Sequence, residues 1–341
     1  MRPAARPCTH IRENVCVTSV TPRTRPGTSA PHVPPRLIAT DLDGTLLRDD
    51  KSVSPRTVDA LAAAEAAGVR VFFVTGRPAR WMDVVSAHVH GHGLAICGNG
   101  AAVVDLHSGD GGPRFVKLRP METGAALGVA LALRTAAPGT TFAVERTGGL
   151  HHEPGYPPLH LDPSESIAPV DVLLADESPT AAPSRTAPSQ AAPSQNPDAT
   201  PPGPAARSGI GGQPVLKLLA HHPELSPDEF LSLARKAIGD RASVTRSSPT
   251  ALLEISAHGV SKASTLALCC AELGIGPEEV VAFGDMPNDV EMLTWAGRSY
   301  AMGNAHPDVI AAASASTVAN NDDGVAVVIE RIIAERHAAD S

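Results

Sequence analysis

Three apolar runs stand out along the chain, and each closes on small or acidic residues: RLIATDLDG (36–44), VRVFFVTGR (69–77) and EVVAFGDMPND (279–289). Continuous Val, Ile and Phe without polar alternation is the pattern of strands buried on both faces, as in a parallel sheet. The first two runs are separated by SPRTVDALAAAEAAG, where Ser54 is placed to cap a helix, Pro55 falls in its first turn and Gly68 lies past its end. SKASTLALCCAELG repeats the signal with Ser261 and Gly274. Strand, helix, strand at this spacing requires right-handed crossovers and predicts an α/β fold built on a doubly wound parallel sheet.

The stretch from 103 to 258 has a different texture. METGAALGVALALRTA and SPDEFLSLARKAIG read as helices, and VDVLLAD and PVLKLLAHH as strands. The expectation is a second α/β domain over 103–258, inserted into a core made of 36–102 and 259–341. Two segments lack the apolar content to offset ordering entropy: the Pro- and Arg-bearing leader, 1–35, and the Ala-Pro-Ser-rich stretch 176–213 inside the insertion. Both are expected to be disordered, the second as a long loop between two strands.

Composition narrows the function. A chain of 341 residues with 43% hydrophobic and 19% charged content carries a sizeable core. A formal charge of −8 and 3% aromatic residues argue against a nucleic-acid platform. The five cysteines, Cys8, Cys16, Cys97, Cys269 and Cys270, fit neither a disulfide framework nor a paired-cysteine zinc site, and point to a reducing, cytoplasmic setting. Cys269 and Cys270 read as small core hydrophobes. No window approaches the roughly 18 apolar residues of a membrane span.

In open α/β sheets ligands gather beyond the carboxyl ends of the strands. Three polar clusters fall there: Asp41 with Asp43, then Thr75, Gly76 and Arg77, then Asp285, Asn288 and Asp289. Carboxylates in one place cannot all ionise cheaply without a cation, and magnesium, which prefers oxygen ligands and substrate phosphate, suits Asp41 and Asp285. The rival metal set, His88, His90 and His92, lies in a glycine-broken run and reads as an exposed loop. Arg77 fits a structural salt bridge as well as a substrate contact, and the insertion's histidines, His151, His152, His221 and His222, read as solvent-facing loop residues that could touch substrate.

DLDGT, VTGR, GVSK and GDMPND, in that order, resemble the four motifs of the haloacid dehalogenase (HAD) superfamily, and ICGNGAAVVD, AMGNAHPDV and ANNDDGVA resemble its Cof-like phosphatase branch. The resemblance spans residues 36 to 334, apart from 176–213. It implies a HAD-like Rossmannoid core with an inserted α/β cap, and a magnesium-dependent phosphatase acting on small phosphorylated metabolites, with no nucleic-acid or membrane partner. Residue by residue it implies Asp41 as nucleophile and Asp43 as acid/base. Thr75, Gly76, Lys262 and Asn288 would bind phosphate. Mg2+ would be held by Asp41, the backbone carbonyl of Asp43, Asp285 and Asp289, with Asp289 orienting the set. Arg77 and Asn99 would face substrate. A phosphomutase shares the aspartyl-phosphate step and is the enzymatic alternative. A phospho-accepting signalling module is the non-enzymatic one, and it would lack the large insertion.

Overall fold

The computed structural model describes residues 33–86, 93–107, 114–158, 166–175, 212–246 and 250–339. The leader apart from its last three residues, the 176–213 stretch apart from its last two residues, and the His88, His90, His92 triplet therefore lie outside the described residues.

Among the described residues, thirteen strands form two sheets. The larger runs β13 (Ala315–Ser316), β12 (Arg298–Ala301), β11 (Val280–Gly284), β1 (Leu37–Thr40), β2 (Arg70–Val74), β3 (Leu94–Cys97), β4 (Ala102–Asp105), β5 (Arg114–Leu118). Pairing is parallel from β13 to β3, and antiparallel for β4 and β5. The three apolar runs are thus β1, β2 and β11, and they lie side by side with β1 in the middle.

Alternate residues of β1 feed opposite faces, as the two-residue period of a strand demands. Leu37 and Ala39 pack with α6 (Lys262–Glu272), α7 (Val290–Trp295) and α8 (Pro307–Ala312) through Leu266, Cys269, Cys270, Leu293 and Val309. Ile38 packs with α1 (Pro55–Ala66) and α9 (Gly324–Ala339) through Leu61, Ala64, Ile329 and Ile332. Helices on both faces make this a doubly wound sheet. The helix signals hold in detail: Ser54 Oγ accepts the N–H of Thr57 at 3.1 Å, and Gly68 takes φ +78° just past the end of α1.

The smaller sheet, ordered β7 (Gly149–His152), β6 (Thr141–Arg146), β8 (Val215–His221), β10 (Leu252–Ala257), β9 (Ala242–Thr245), is antiparallel throughout. One face packs on α3 (Thr123–Ala136), α4 (Val170–Leu173) and α5 (Pro227–Ile238) through Phe142, Val144, Leu218, Ile255 and Phe230. A reciprocal cap starts α5: Ser226 Oγ accepts the Glu229 N–H, and Glu229 Oε2 accepts the Ser226 N–H.

Three expectations need correction. VDVLLAD forms α4 rather than a strand: Val170 and Leu173, three apart, share one helical face in the core, and Glu153 Oε1 accepts the Val170 N–H at 2.8 Å. The boundary expected at 103 cuts β4, yet β4 and β5 extend the larger sheet by pairing onto β3, so the small-sheet unit begins beyond Leu118. His151, His152 and His222 are buried rather than solvent-facing, the first two because they lie on β7 against neighbouring segments. Among the described residues no helix is long and apolar enough to cross a membrane.

Candidate active site

Asp41 is the first residue past β1, and its N–H donates to the carbonyl of Phe283 on β11 at 3.1 Å, extending the ladder by one step. Asp285 stands one residue past β11 and Thr75 one past β2. The parallel register aligns Thr40 with both Phe283 and Phe73, so the three polar ends meet at one edge of the sheet.

Lys262 completes the cluster from the other side. Ser261 caps α6, its Oγ accepting the Ser264 N–H at 3.2 Å while Ser264 Oγ accepts the Ser261 N–H at 3.0 Å. That places Lys262 in the first turn, 1% exposed, with Nζ donating to Asp41 Oδ1 at 2.6 Å and Asp289 Oδ1 at 2.7 Å. The other oxygen of Asp289 accepts the backbone N–H groups of Asp285 and Met286, both at 3.1 Å, which fixes the turn presenting Asp285. Thr45 Oγ1 donates to Asp285 Oδ1 at 3.0 Å. Gly44 makes the approach possible: its φ is +74°, and a Cβ there would stand 2.2 Å from Asp285 Oδ2.

The electrostatics follow from burial. Asp41 is held well above the ordinary carboxylate range by desolvation, which Asp289 and Asp285 reinforce and Lys262 only partly offsets. Asp285 is pushed up to about 7 by burial and by Asp289. Burial works to lower Lys262, but Asp289 and Asp41 outweigh it and hold the ammonium above its usual value. Each of Asp41, Asp285 and Asp289 offers an oxygen within 4.8 Å of the others. One lysine does not neutralise three buried acids, and a hard divalent cation on those oxygens fits the shortfall.

Asp43 sits apart. Its carboxylate takes Arg77 Nε at 2.6 Å and the second Arg77 nitrogen at 2.7 Å, and Lys51 Nζ at 2.9 Å. Burial alone would raise it, but Arg77 and Lys51 bring it down to about 2. Its side chain is thus outside the acid triad, and Arg77 is in a salt bridge.

The phosphate-binding candidates are tied to the small sheet. Lys217 on β8 donates to the Gly76 carbonyl at 2.7 Å and to Glu254 on β10 at 3.0 Å. Glu254 in turn accepts from Asn99, and Asn99 Oδ1 accepts from Asn288 at 3.0 Å. Asn99 has φ +54°, a left-handed turn conformation that asparagine tolerates. A Cβ at Gly76 would stand 3.2 Å from Glu254 Oε2, so the glycine lets the two sheets close up here. Arg80 likewise pairs with Glu145 on β6. Sequence reasoning missed Lys217, Glu254 and Glu145. The signal was a charge inside an otherwise apolar strand, alone in VLKLLAH and LLEISA and beside Arg146 in TFAVER.

A family model for haloacid dehalogenase-like hydrolases matches residues 38–111 and 180–329. The chain belongs to the haloacid dehalogenase-like hydrolases. Its relatives agree with the Cof-like branch of that superfamily. A pyridoxal phosphate phosphatase of Escherichia coli K12, YbhA, is 29% identical over 302 residues, covering 86% of this chain and 97% of that one. An HMP-PP phosphatase of Yersinia pestis is 29% identical over 274 residues, covering 80% and 86%. The solved structure of a haloacid dehalogenase-like hydrolase from Bacillus subtilis superposes with a TM-score of 0.65 at 22% identity, covering 86% of this chain and 99% of that one, a likeness of fold. In this hydrolase the motif residues Asp41, Lys262, Asp285 and Asp289 form the buried cluster.

Proposed function

We propose that this hydrolase is a cytoplasmic, magnesium-dependent phosphatase of small phosphomonoesters that works through an aspartyl-phosphate on Asp41. The observation that carries the reading is Lys262, buried and bonded to both Asp41 and Asp289 beside Asp285, at the end of the central strand. The phosphatase relatives support it.

Lys262 holds Oδ1 of Asp41, which leaves Oδ2 to attack phosphorus. The new O–P bond forms as the ester P–O bond breaks, and the departing oxygen takes its proton from Asp43. Water then attacks the aspartyl-phosphate and loses a proton to Asp43, and phosphate leaves with Asp41 restored. Asp43 enters this cycle when substrate draws Arg77 off its carboxylate, because the pair as it stands keeps Asp43 ionised. Thr75 and the Gly76 backbone hold phosphoryl oxygens, and Asn288 reaches the same group. Lys262 offsets the negative charge that builds on phosphate and nucleophile. Asp41, Asp285, Asp289 and the Asp43 carbonyl hold Mg2+, which when bound supplies Lewis acidity and charge neutralisation. The small sheet covers the cleft and receives the leaving group, which makes metabolites rather than macromolecules the substrates.

The test is phosphate release from p-nitrophenyl phosphate, with magnesium and with chelator, by the intact protein and by Asp41→Asn. Magnesium-dependent turnover that disappears in the variant is the expected result. Turnover that survives in Asp41→Asn rules out Asp41 as nucleophile. A phosphomutase would instead return the phosphoryl group of Asp41 to a sugar hydroxyl when a sugar phosphate is supplied.

A further inference from the structure

Most cations between the two sheets are matched by a buried acid. Lys262 has Asp41 and Asp289, Lys217 has Glu254, and Arg80 has Glu145. Arg246 differs. It follows β9 directly, next to Thr245, which is in register with Glu254, and its side chain is 8% exposed. Its acid, Asp228, 2.8 Å away, has a side chain 82% exposed, and so exposed a partner returns little of the cost of burying a guanidinium. Among the described residues the buried Nε of Arg246 has no hydrogen-bond partner.

The terminal nitrogen of Arg246 that bonds Asp228 also stands 3.5 Å from Nε2 of His306. His306 Nδ1 accepts the Asp308 backbone N–H at 3.3 Å and lies 3.6 Å from Asp308 Oδ2. At this point Arg246 keeps a buried N–H group that no described residue satisfies, an arrangement that is poor alone and relieved by an added acceptor. The backbone N–H of His306 donates to the carbonyl of Asp285 at 2.8 Å, so the point lies beside the strand end that carries the acid triad.

We propose that Arg246 and His306 bind a second anionic group, a carboxylate or a phosphate, on the leaving group of the substrate. The planar guanidinium fork matches either anion. The substrate class is then a phosphomonoester that carries a further negative charge. This inference rests on the phosphatase reading given above.

Matched pairs test it: 3-phosphoglycerate against glycerol 3-phosphate for a carboxylate, and fructose 1,6-bisphosphate against fructose 6-phosphate for a phosphate. Intact protein is expected to favour the more anionic member of at least one pair by about tenfold or more in kcat/KM, and the pair that responds identifies the anion. In Arg246→Met that ratio collapses towards one, and Arg246→Lys, which keeps the charge without the fork, recovers part of it. Equal turnover of both members by intact protein, or a ratio unchanged in Arg246→Met, overturns the inference. Calorimetric binding of the same four compounds to Asp41→Asn keeps the two readings separable. No phosphate release from p-nitrophenyl phosphate or from any of the four compounds, with Arg246-dependent anion binding, would end the phosphatase reading and keep the anion site. Active turnover with no preference would do the reverse.

Discussion

Lys217, on a strand of the small sheet, donates to the backbone carbonyl of Gly76, the residue after Thr75 at the edge of the large sheet, at 2.7 Å. The same ammonium bonds Glu254, and both side chains are buried. Removing the lysine alone strands a carboxylate. Lys217→Met is therefore expected to cost about 3–5 kcal/mol, and Lys217→Met with Glu254→Gln clearly less than that single change. Urea denaturation of the variants measures the difference.

Asp285 gives a pH signature. Its folded carboxyl titrates near 7 against an unfolded value of 3.8, so the folded state holds a proton that the unfolded state has lost throughout that window. Stability of chelated protein should therefore fall as pH rises from about 4 to about 7, and Asp285→Asn should flatten the slope. Magnesium should raise the melting temperature more at pH 7.5 than at pH 5, as differential scanning fluorimetry would record.

Gly44 has two reasons to be glycine. Alanine there pays about 1–2 kcal/mol for the left-handed backbone and drives a methyl into Asp285 Oδ2. The expected outcome for Gly44→Ala is a raised magnesium requirement together with a loss of kcat. Activity titrated against free magnesium would show both.

Lys262 ties Asp41 to the turn of Asp285. Lys262→Met should abolish turnover and, in metal-free protein, destabilise the fold by about 3–5 kcal/mol, because Asp41 and Asp289 remain buried without it. Saturating magnesium should restore part of the stability and none of the activity, a split visible by comparing denaturation midpoints with initial rates.

The large sheet and the placing of its acids were legible because they are written locally. Ser54 and Ser261 cap the helices they precede, and Asp41 and Asp285 end continuous apolar runs, so position along the strand already places them at one edge. What was not legible depends on pairing between distant segments. Glu254 meets Asn99 across 155 positions, and nothing near either residue announces the contact. VDVLLAD was misread because one apolar turn of helix and a short strand share a composition, and only the core contacts of Val170 and Leu173 decide between them. Asp43 follows the strand end as the motif predicts, but the bonding of its carboxylate to Arg77 and Lys51 is a long-side-chain event that a motif does not encode.

The last strand of the small sheet ends at Ala257, and α6 opens with Lys262, so the chain leaves one sheet and delivers the lysine of the other within a single short joint. Mechanically that joint is a lever. A tilt of the small sheet about it would move the ammonium beside Asp41, so on the proposed reading a guest molecule that held the sheet down would also set the charge felt by that residue.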